Sequence, residues 1–275
     1  MKRLKLTKLI TGVLLFSLTL TLSGCSSKTS ESPVSASKTE PKTIVIGIGN
    51  AFKPYCYLDD NGKIAGYEYE VLQEVNKLLP QYKFEYQPAE FKTILVSLGA
   101  KKVDLAAHQY EKNPDREAKY LFGGESYTNF ILRITDKKGR TDIKSIEDLK
   151  GKTVQVSPGS NDAYTLEEYN KKNNNAIKLV YSSADNATTV KSITDGRIDA
   201  FISIKRIVDS LNKTFGDVIQ TVGDPIATSN TYYIYRKEDT KLKEDVDGAL
   251  KTLKANGKLA KLSIKILGGD YTTNE

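Results

Sequence analysis

The sequence predicts an α/β fold with a largely parallel sheet, arranged as two similar lobes around a cleft. Three observations carry this. Apolar runs of strand length alternate with stretches whose apolar residues recur at helical spacing. Residues 97–105, Ser-Leu-Gly-Ala-Lys-Lys-Val-Asp-Leu, match residues 192–200, Ser-Ile-Thr-Asp-Gly-Arg-Ile-Asp-Ala, in register. Two further apolar runs, Phe130 to Ile134 and Thr231 to Tyr235, sit where a chain would cross to a second lobe and return.

Each element has a local reason. Residues 43–49, Thr-Ile-Val-Ile-Gly-Ile-Gly, read as a buried strand. Asp59-Asp60-Asn61-Gly62 is a turn. Val71, Leu72, Val75, Leu78 and Leu79 share a helical face, which Pro80 ends. Tyr82 to Tyr86 alternates as a strand, Phe91, Ile94, Leu95 and Leu98 make another helical face, and Val103 to Ala107 returns to strand. The helix carrying Leu242, Val246, Leu250 and Leu253 is expected to pack back on the first lobe.

The front of the chain has a secretory layout. Lys2, Arg3, Lys5 and Lys8 precede an uncharged stretch from Leu9 to Leu22, too short to span a bilayer. Leu22-Ser23-Gly24-Cys25 is similar to a bacterial lipobox. The alternative is an ordinary signal peptide with a chance cysteine. On the lipobox reading residues 1–24 are removed, Cys25 carries lipid, and the protein sits on the outer face of the cell membrane without spanning it. Residues 25–42 are polar, without apolar periodicity, and read as a disordered tether.

Composition narrows the function. Of 41 basic residues four precede Cys25, leaving 37 against 34 acidic ones, a balance of +3. That is mild and, with no basic stripe interleaved with aromatics, does not suggest nucleic-acid binding. Cys56 lacks a partner once Cys25 is lipidated and reads as a buried small residue. One His and no Cys/His cluster argue against a transition-metal site, and no cofactor is implied. No Gly-x-Ser-x-Gly elbow is present, and Gly47-Ile48-Gly49 lacks the rest of a dinucleotide fingerprint.

Three places could meet in the cleft. Arg116, in Asn113-Pro-Asp-Arg116, could hold a carboxylate with two parallel hydrogen bonds, or be a surface arginine in a charged loop. Residues 154–162 run from a strand through Pro-Gly-Ser-Asn into a helix, so Ser160 and Asn161 could present backbone donors to an anion or merely cap their own helix. Phe52 and Phe91 could wall a ligand or belong to the core.

Together these pieces resemble the extracellular solute-binding proteins of polar amino-acid ABC importers. The resemblance runs from about Thr43 to Tyr271. It rests on ordered segments: Gly-Lys-Ile-Ala-Gly-Tyr-Glu-Tyr-Glu at 62–70, Lys-Val-Asp-Leu at 102–105, Asn-Pro-Asp-Arg-Glu at 113–117, Asp-Leu-Lys-Gly-Lys-Thr-Val at 148–154, Asp-Gly-Arg-Ile-Asp-Ala at 195–200 and Asn-Gly-Lys-Leu-Ala-Lys-Leu at 256–262. It implies a two-lobed clamp of the type II periplasmic-binding-protein kind with two hinge strands. Lobe 1 would comprise 43–130 and 231–275, and lobe 2 131–230. It implies a protein that captures an amino acid and hands it to a membrane permease, and a monomer is expected. By resemblance Arg116 grips the ligand carboxylate, Ser160 and Asn161 grip it from the other lobe, Phe52 and Phe91 wall the ligand, and Gln109 and Glu111 line the pocket between.

There is one departure. Ile204 stands where the family usually places an Asp for the ligand ammonium, and Glu111 stands where a small hydroxyl residue is common. His108-Gln-Tyr-Glu-Lys112, with Ser203, is most similar to the cystine-binding branch. The resemblance leaves two other classes open: a clamp-fold dehydratase of cyclic acids with Glu111 as its acid or base, and a ligand-sensing domain.

Overall fold

The computed structural model describes residues 40–273. The expected signal segment, the Cys25 lipidation site and nearly all of the tether lie outside them. The chain begins with β1 (Lys42–Gly49), β2 (Ala51–Phe52), β3 (Cys56–Leu58) and β4 (Ile64–Ala65). It continues with α1 (Tyr67–Leu78), β5 (Tyr82–Ala89), α2 (Phe91–Gly99), β6 (Leu105–Glu111), α3 (Pro114–Lys119) and β7 (Leu121–Phe122). Then come β8 (Thr128–Lys137), β9 (Thr153–Val156), α4 (Asn161–Lys172), β10 (Lys178–Tyr181), α5 (Asn186–Thr194) and β11 (Ala200–Ser203). Last are α6 (Lys205–Phe215), β12 (Ile219–Tyr235), α7 (Thr240–Ala255) and α8 (Lys258–Leu267).

Two boundaries differ from expectation. Lys42, assigned to the tether, is the first residue of β1 and pairs with Tyr82. The third strand begins at Leu105 rather than Val103 and runs on to Glu111, because pairing with β12 extends it. That extension carries Gln109 and Glu111 to a strand end.

The strands run in the order β10-β9-β11-β8-β12-β6-β1-β5, with β7 on β12. β1 lies parallel between β5 and β6, and β9 lies parallel between β10 and β11. The same order is thus built twice, once at each end of the sheet. The ends are joined by the antiparallel pair β8 and β12, which pairs Thr128 with Thr231 and Ile219 with Lys137. Its register breaks between Val222 and Ala227. Gly223, at φ +66°, makes the break possible, since a Cβ there would stand 2.0 Å from the Lys144 carbonyl oxygen.

The internal repeat is reproduced bond for bond. Lys102 N–H donates to the Ser97 carbonyl at 2.9 Å, and Arg197 N–H to the Ser192 carbonyl at 2.9 Å. Asp104 then accepts the Val45 amide at 2.9 Å and Arg236 at 3.0 Å. Asp199 accepts the Thr153 amide at 2.8 Å and Arg140 at 2.9 Å. An Asp before the third strand therefore accepts a first-strand amide that the ladder leaves over and borrows one arginine. Burial alone would raise the Asp199 pKa, but the Thr153 amide and Arg140 prevail and hold it below the usual range.

Ile44, Ile46 and Ile48 are buried on β1, and Val71, Leu72 and Val75 of α1 pack in the same core, each contributing about 1.5–3 kcal/mol. α7 and α8 pack with α1, as expected for a return to the first sheet end. A smaller core of Ile94, Leu98, Val103, Tyr110 and Ile234 joins α2 to β6 and β12. Cys56 is fully buried, in keeping with its reading as a small core residue. Among the described residues no helix is long and apolar enough to cross a membrane.

Candidate ligand-binding cavity

A cavity of about 200 Å3 opens where the two sheet ends face each other. Its lining includes all seven residues singled out from sequence: Phe52, Phe91, Gln109, Glu111, Arg116, Ser160 and Asn161. They come from β2, α2, β6, α3 and the start of α4, so only the fold brings them together.

Arg116 is placed by a cap. Asn113 ends the loop after β6, and its side-chain oxygen accepts the Arg116 amide at 2.9 Å, with Pro114 opening α3. The side chain turns inward and is only 7% exposed. Nη1 donates to the Glu111 carbonyl at 2.9 Å and Nη2 to the Gly159 carbonyl at 2.8 Å. The guanidinium lies 5.7 Å from the Phe91 ring centre and 5.4 Å from that of Tyr110. Burial pulls its pKa below the usual value, and the Glu111 charge works the other way.

Across the cleft, β9 runs into Ser157-Pro158-Gly159 and α4. Ser160 caps α4: its hydroxyl accepts the Ala163 amide at 3.2 Å and donates to the Ser157 carbonyl at 2.6 Å. The capping reading of Ser160 therefore holds, and capping leaves other first-turn amides facing outward. Asn161 spends its side chain on the opposite wall, donating to Glu111 Oε1 at 3.1 Å and accepting from Asn113 at 3.3 Å.

Glu111 is 4% exposed. Its Oε1 also accepts from the Ser229 hydroxyl at 2.5 Å, while Oε2 has no hydrogen bond among the described residues. Its side chain is turned to Asn161 and Ser229, not to Arg116 or Lys112; Lys112 lies instead over the Tyr232 ring at 4.4 Å. Burial pushes the Glu111 pKa up to about 7, against the Ser229 bond and the Arg116 charge. Ser229 was not foreseen. Nothing in its local sequence marks it, because it reaches Glu111 only through the pairing of β12.

Gln109 adopts φ +52°, a left-handed backbone uncommon outside glycine. Its amide donates to Glu68 Oε1 at 3.1 Å, and Tyr127 donates to the same oxygen. Glu68, on α1, is fully buried, and burial raises its pKa to about 7. This second buried carboxyl fixes the backbone of the cavity floor. The Gln109 side-chain amide nitrogen is buried without a partner among the described residues, on a residue that lines the cavity.

His108 is a lining residue the sequence reading left out. Its ring stacks on Phe52, centres 5.4 Å apart at 14°, and meets Phe91 edge-on at 4.9 Å. Burial first, and the Arg116 charge second, lower its pKa to about 4, so the imidazole is neutral at pH 7. Strand alternation would not have flagged it, since it lies an odd number of residues from both Gln109 and Glu111 on β6. Asp162 joins Glu111 and Arg116 at the polar end, its carboxylate accepting the Ser157 amide at 3.3 Å. Phe130, Leu132, Ile202, Ile204 and Ile207 add apolar wall, with Ser157 and Ser203 among them. Ile204 precedes α6 without a side-chain cap bond, so no acid stands at that place in the cavity wall.

The model for bacterial extracellular solute-binding proteins, family 3, matches residues 44–269. The L-cystine-binding protein TcyK of Bacillus subtilis is 38% identical, covering 98% of this chain and 99% of its own. A solved putative L-cystine ABC transporter protein from Listeria monocytogenes superposes with a TM-score of 0.79 at 40% identity, covering 84% of this chain and 98% of its own. A structure from a study of glutathione import via GshT and the cystine importer TcyBC of Streptococcus mutans gives a TM-score of 0.78 at 31% identity, covering 85% and 98%. The repeated sheet, the double crossing by β8 and β12 and the cavity between the ends are those of a type II periplasmic-binding-protein clamp, and this family is one of solute carriers rather than enzymes. With a model matching nearly the whole described body and relatives aligned end to end, the chain belongs to the family 3 bacterial extracellular solute-binding proteins.

Proposed function

We propose that this protein captures L-cystine or a related sulfur-containing amino acid in the cavity and delivers it to an ABC permease. The observation that carries the reading is one buried cavity with Arg116 and Glu111 on the same wall, in a chain whose near-full-length relative is named for cystine binding. A guanidinium and a carboxylate match the two charges of an amino-acid zwitterion. Lobe 1 is assigned to 43–130 and 231–275 and lobe 2 to 131–230. In support, both cuts fall inside the crossing pair, where Ser229 pairs with Phe130 and Thr228 with Ile131. Arg116, Glu111, Gln109, Phe52 and Phe91 would hold the ligand from the first lobe, Ser160 and Asn161 from the second.

Thermal unfolding against a panel of amino acids, with cystine, S-methylcysteine and glutathione included, tests the ligand class. A true ligand at about 100 times its Kd adds about 2.7 kcal/mol of stability. A shift with a basic or acidic amino acid and none with the sulfur compounds would overturn the sulfur assignment and leave the family intact.

The protein is further proposed to act as a monomer tethered by lipid on Cys25 at the outer face of the membrane. Lipid attaches only through that sulfur, so Cys25→Ala is expected to release a folded, ligand-competent protein from the membrane or to block its processing. Membrane fractionation and maturation indistinguishable from wild type in Cys25→Ala would end the lipid-anchor reading.

A further inference from the structure

We infer that Arg206 is a positioning residue for ligand capture. Carried on α6, it ties the second lobe to Tyr55, to the start of β8 and to the C-terminal tail, and so strengthens the closed clamp from outside the cavity. The inference rests on the lobe assignment and the amino-acid reading proposed above, and adds a residue that sets affinity without touching the ligand.

Arg206 lies in the first turn of α6. A guanidinium carries five N–H donors in one plane. Here Nε donates to the Tyr55 hydroxyl and Nη1 to Asn129 Oδ1 at 3.1 Å. Nη2 donates to the Asn129 carbonyl at 2.6 Å and to Thr128 Oγ1 at 3.3 Å. All four acceptors are neutral, so the planar fork rather than an opposite charge selects arginine at this place. The guanidinium also lies 4.5 Å from the ring centre of Tyr271, 5.5 Å from that of Tyr55 and 5.8 Å from that of Phe130.

These partners come from three segments, all assigned to the first lobe. Tyr55 lies between β2 and β3 and is fully buried. Thr128 and Asn129 open β8, just before the proposed crossing. Tyr271 belongs to the tail after α8, which is fastened to the same spot. The Asn129 amide donates to the Tyr271 carbonyl at 2.7 Å, and Asn129 Nδ2 donates to the Thr273 carbonyl at 3.0 Å. The tail is held to α8 in turn, because the Tyr271 amide donates to Ser263 Oγ at 2.9 Å. One side chain of the second lobe thus grips three parts of the first.

The tie reaches the ligand wall through a stack of rings. Tyr55 stacks on Phe52 with centres 5.0 Å apart, and Phe52 lines the cavity. Neither Tyr55 nor Arg206 is among the described residues that line it. At the other end of the cleft the crossing bonds are Arg116 to Gly159 and Asn161 to Glu111, which use groups a ligand would claim. The Arg206 tie uses none of these, so ligand and tie do not compete. α6 moves with the second lobe, and opening the clamp draws Arg206 away from Tyr55 and Tyr271. A contact made only in the closed form raises the fraction of molecules competent to hold ligand, and apparent affinity rises with that fraction.

A double-variant cycle with L-cystine tests the tie. Tyr55→Phe removes one acceptor and keeps the ring on Phe52, whereas Arg206→Lys keeps the charge and loses the fork. Affinity is read by titration calorimetry, release rate by stopped flow, and folding by the melting temperature of the empty protein. Arg206→Lys is expected to weaken cystine binding about tenfold and Tyr55→Phe about threefold, chiefly through faster release. The double variant is expected to be no weaker than Arg206→Lys alone. Lower melting temperatures with wild-type affinity overturn the tie, since Arg206 then serves the fold only. Additive losses overturn it too, because the two residues then act separately. Should Arg206→Lys fail to fold, Tyr55→Phe decides by itself, and unchanged affinity and release overturn the tie. Absence of cystine binding to wild type removes the cystine reading alone. The cycle is then run, with the same outcomes, on the amino acid that raises the melting temperature in the panel. If none does, the capture reading and the tie fall together.

Discussion

Arg116→Ala is expected to abolish measurable amino-acid binding while the empty protein stays folded. Among the described residues the guanidinium is the one buried cation on the cavity wall, and closure around a ligand strips water from the carboxylate opposite it. Removing one partner of a buried charged pair costs about 2–5 kcal/mol, enough to carry a micromolar Kd beyond ordinary titration. The empty protein loses far less. What Arg116 leaves behind are the carbonyls of Glu111 and Gly159, both beside a cavity that admits water. Each of its bonds to them is charge-assisted, about 1.5–3 kcal/mol, but the desolvation cost of the buried guanidinium disappears with the side chain and water can take over the two carbonyls. Arg116→Lys should also weaken binding, because an ammonium cannot bridge two acceptors in the planar fork geometry. Calorimetry returning near-normal affinity for Arg116→Ala would strike this residue from the site.

Glu111→Gln is expected to weaken amino-acid binding tenfold or more and to remove most of its pH dependence. With Ile204 in the cavity wall, Glu111 is the acid best placed to face a ligand ammonium. Its Oε1 is occupied by Asn161 and Ser229, and its Oε2 is left over. A hydrogen bond to a charged group is worth about 1.5–3 kcal/mol. Analogues lacking the amino group should gain relative to the parent amino acid in the variant.

The sign of the pH effect follows from the raised pKa. Burial lifts Glu111 from an ordinary 4.5 to about 7 in the folded protein, with Arg116 lowering it and Asp162 raising it. Between those values the folded state holds a proton that the unfolded state has lost. The stability this contributes is fully present below about 4.5 and is lost as pH rises to about 7. Glu68 is raised to the same region and adds to the same trend. Binding runs the other way: an incoming ammonium favours the ionised carboxylate, so wild-type affinity should rise between pH 6 and 8. Glu111→Gln should be flat over that range. Wild-type affinity already flat there, or a Glu111→Gln protein with unchanged affinity and unchanged preference over the deaminated analogue, would place the ammonium elsewhere.

Much of the fold was readable because it rests on local pattern. The apolar run at 43–49, the helical spacing from Val71 to Leu79 and the turn at Asp59 to Gly62 each express a period or a turn preference within a few residues. The repeat was readable too, since the Asp104 and Asp199 segments solve the same problem twice. Boundaries were read less well. Lys42 and the far end of β6 became strand only through pairing with β5 and β12, partners distant in sequence.

The chain alone determined which residue types were available to a ligand: an arginine behind an Asn-Pro turn, a capped helix start, two phenylalanines and a glutamate where a small residue was expected. Only the tertiary structure decided what those side chains face. It turned Glu111 to Asn161 and Ser229 rather than to Arg116, inserted the neutral His108 ring against Phe52 and set Glu68 beneath Gln109. The reason is physical. Periodicity and capping act over one or two turns of chain, whereas burial and the direction of a hydrogen bond depend on neighbours that arrive from far along the chain, as Ser229 does at Glu111 from 118 residues away.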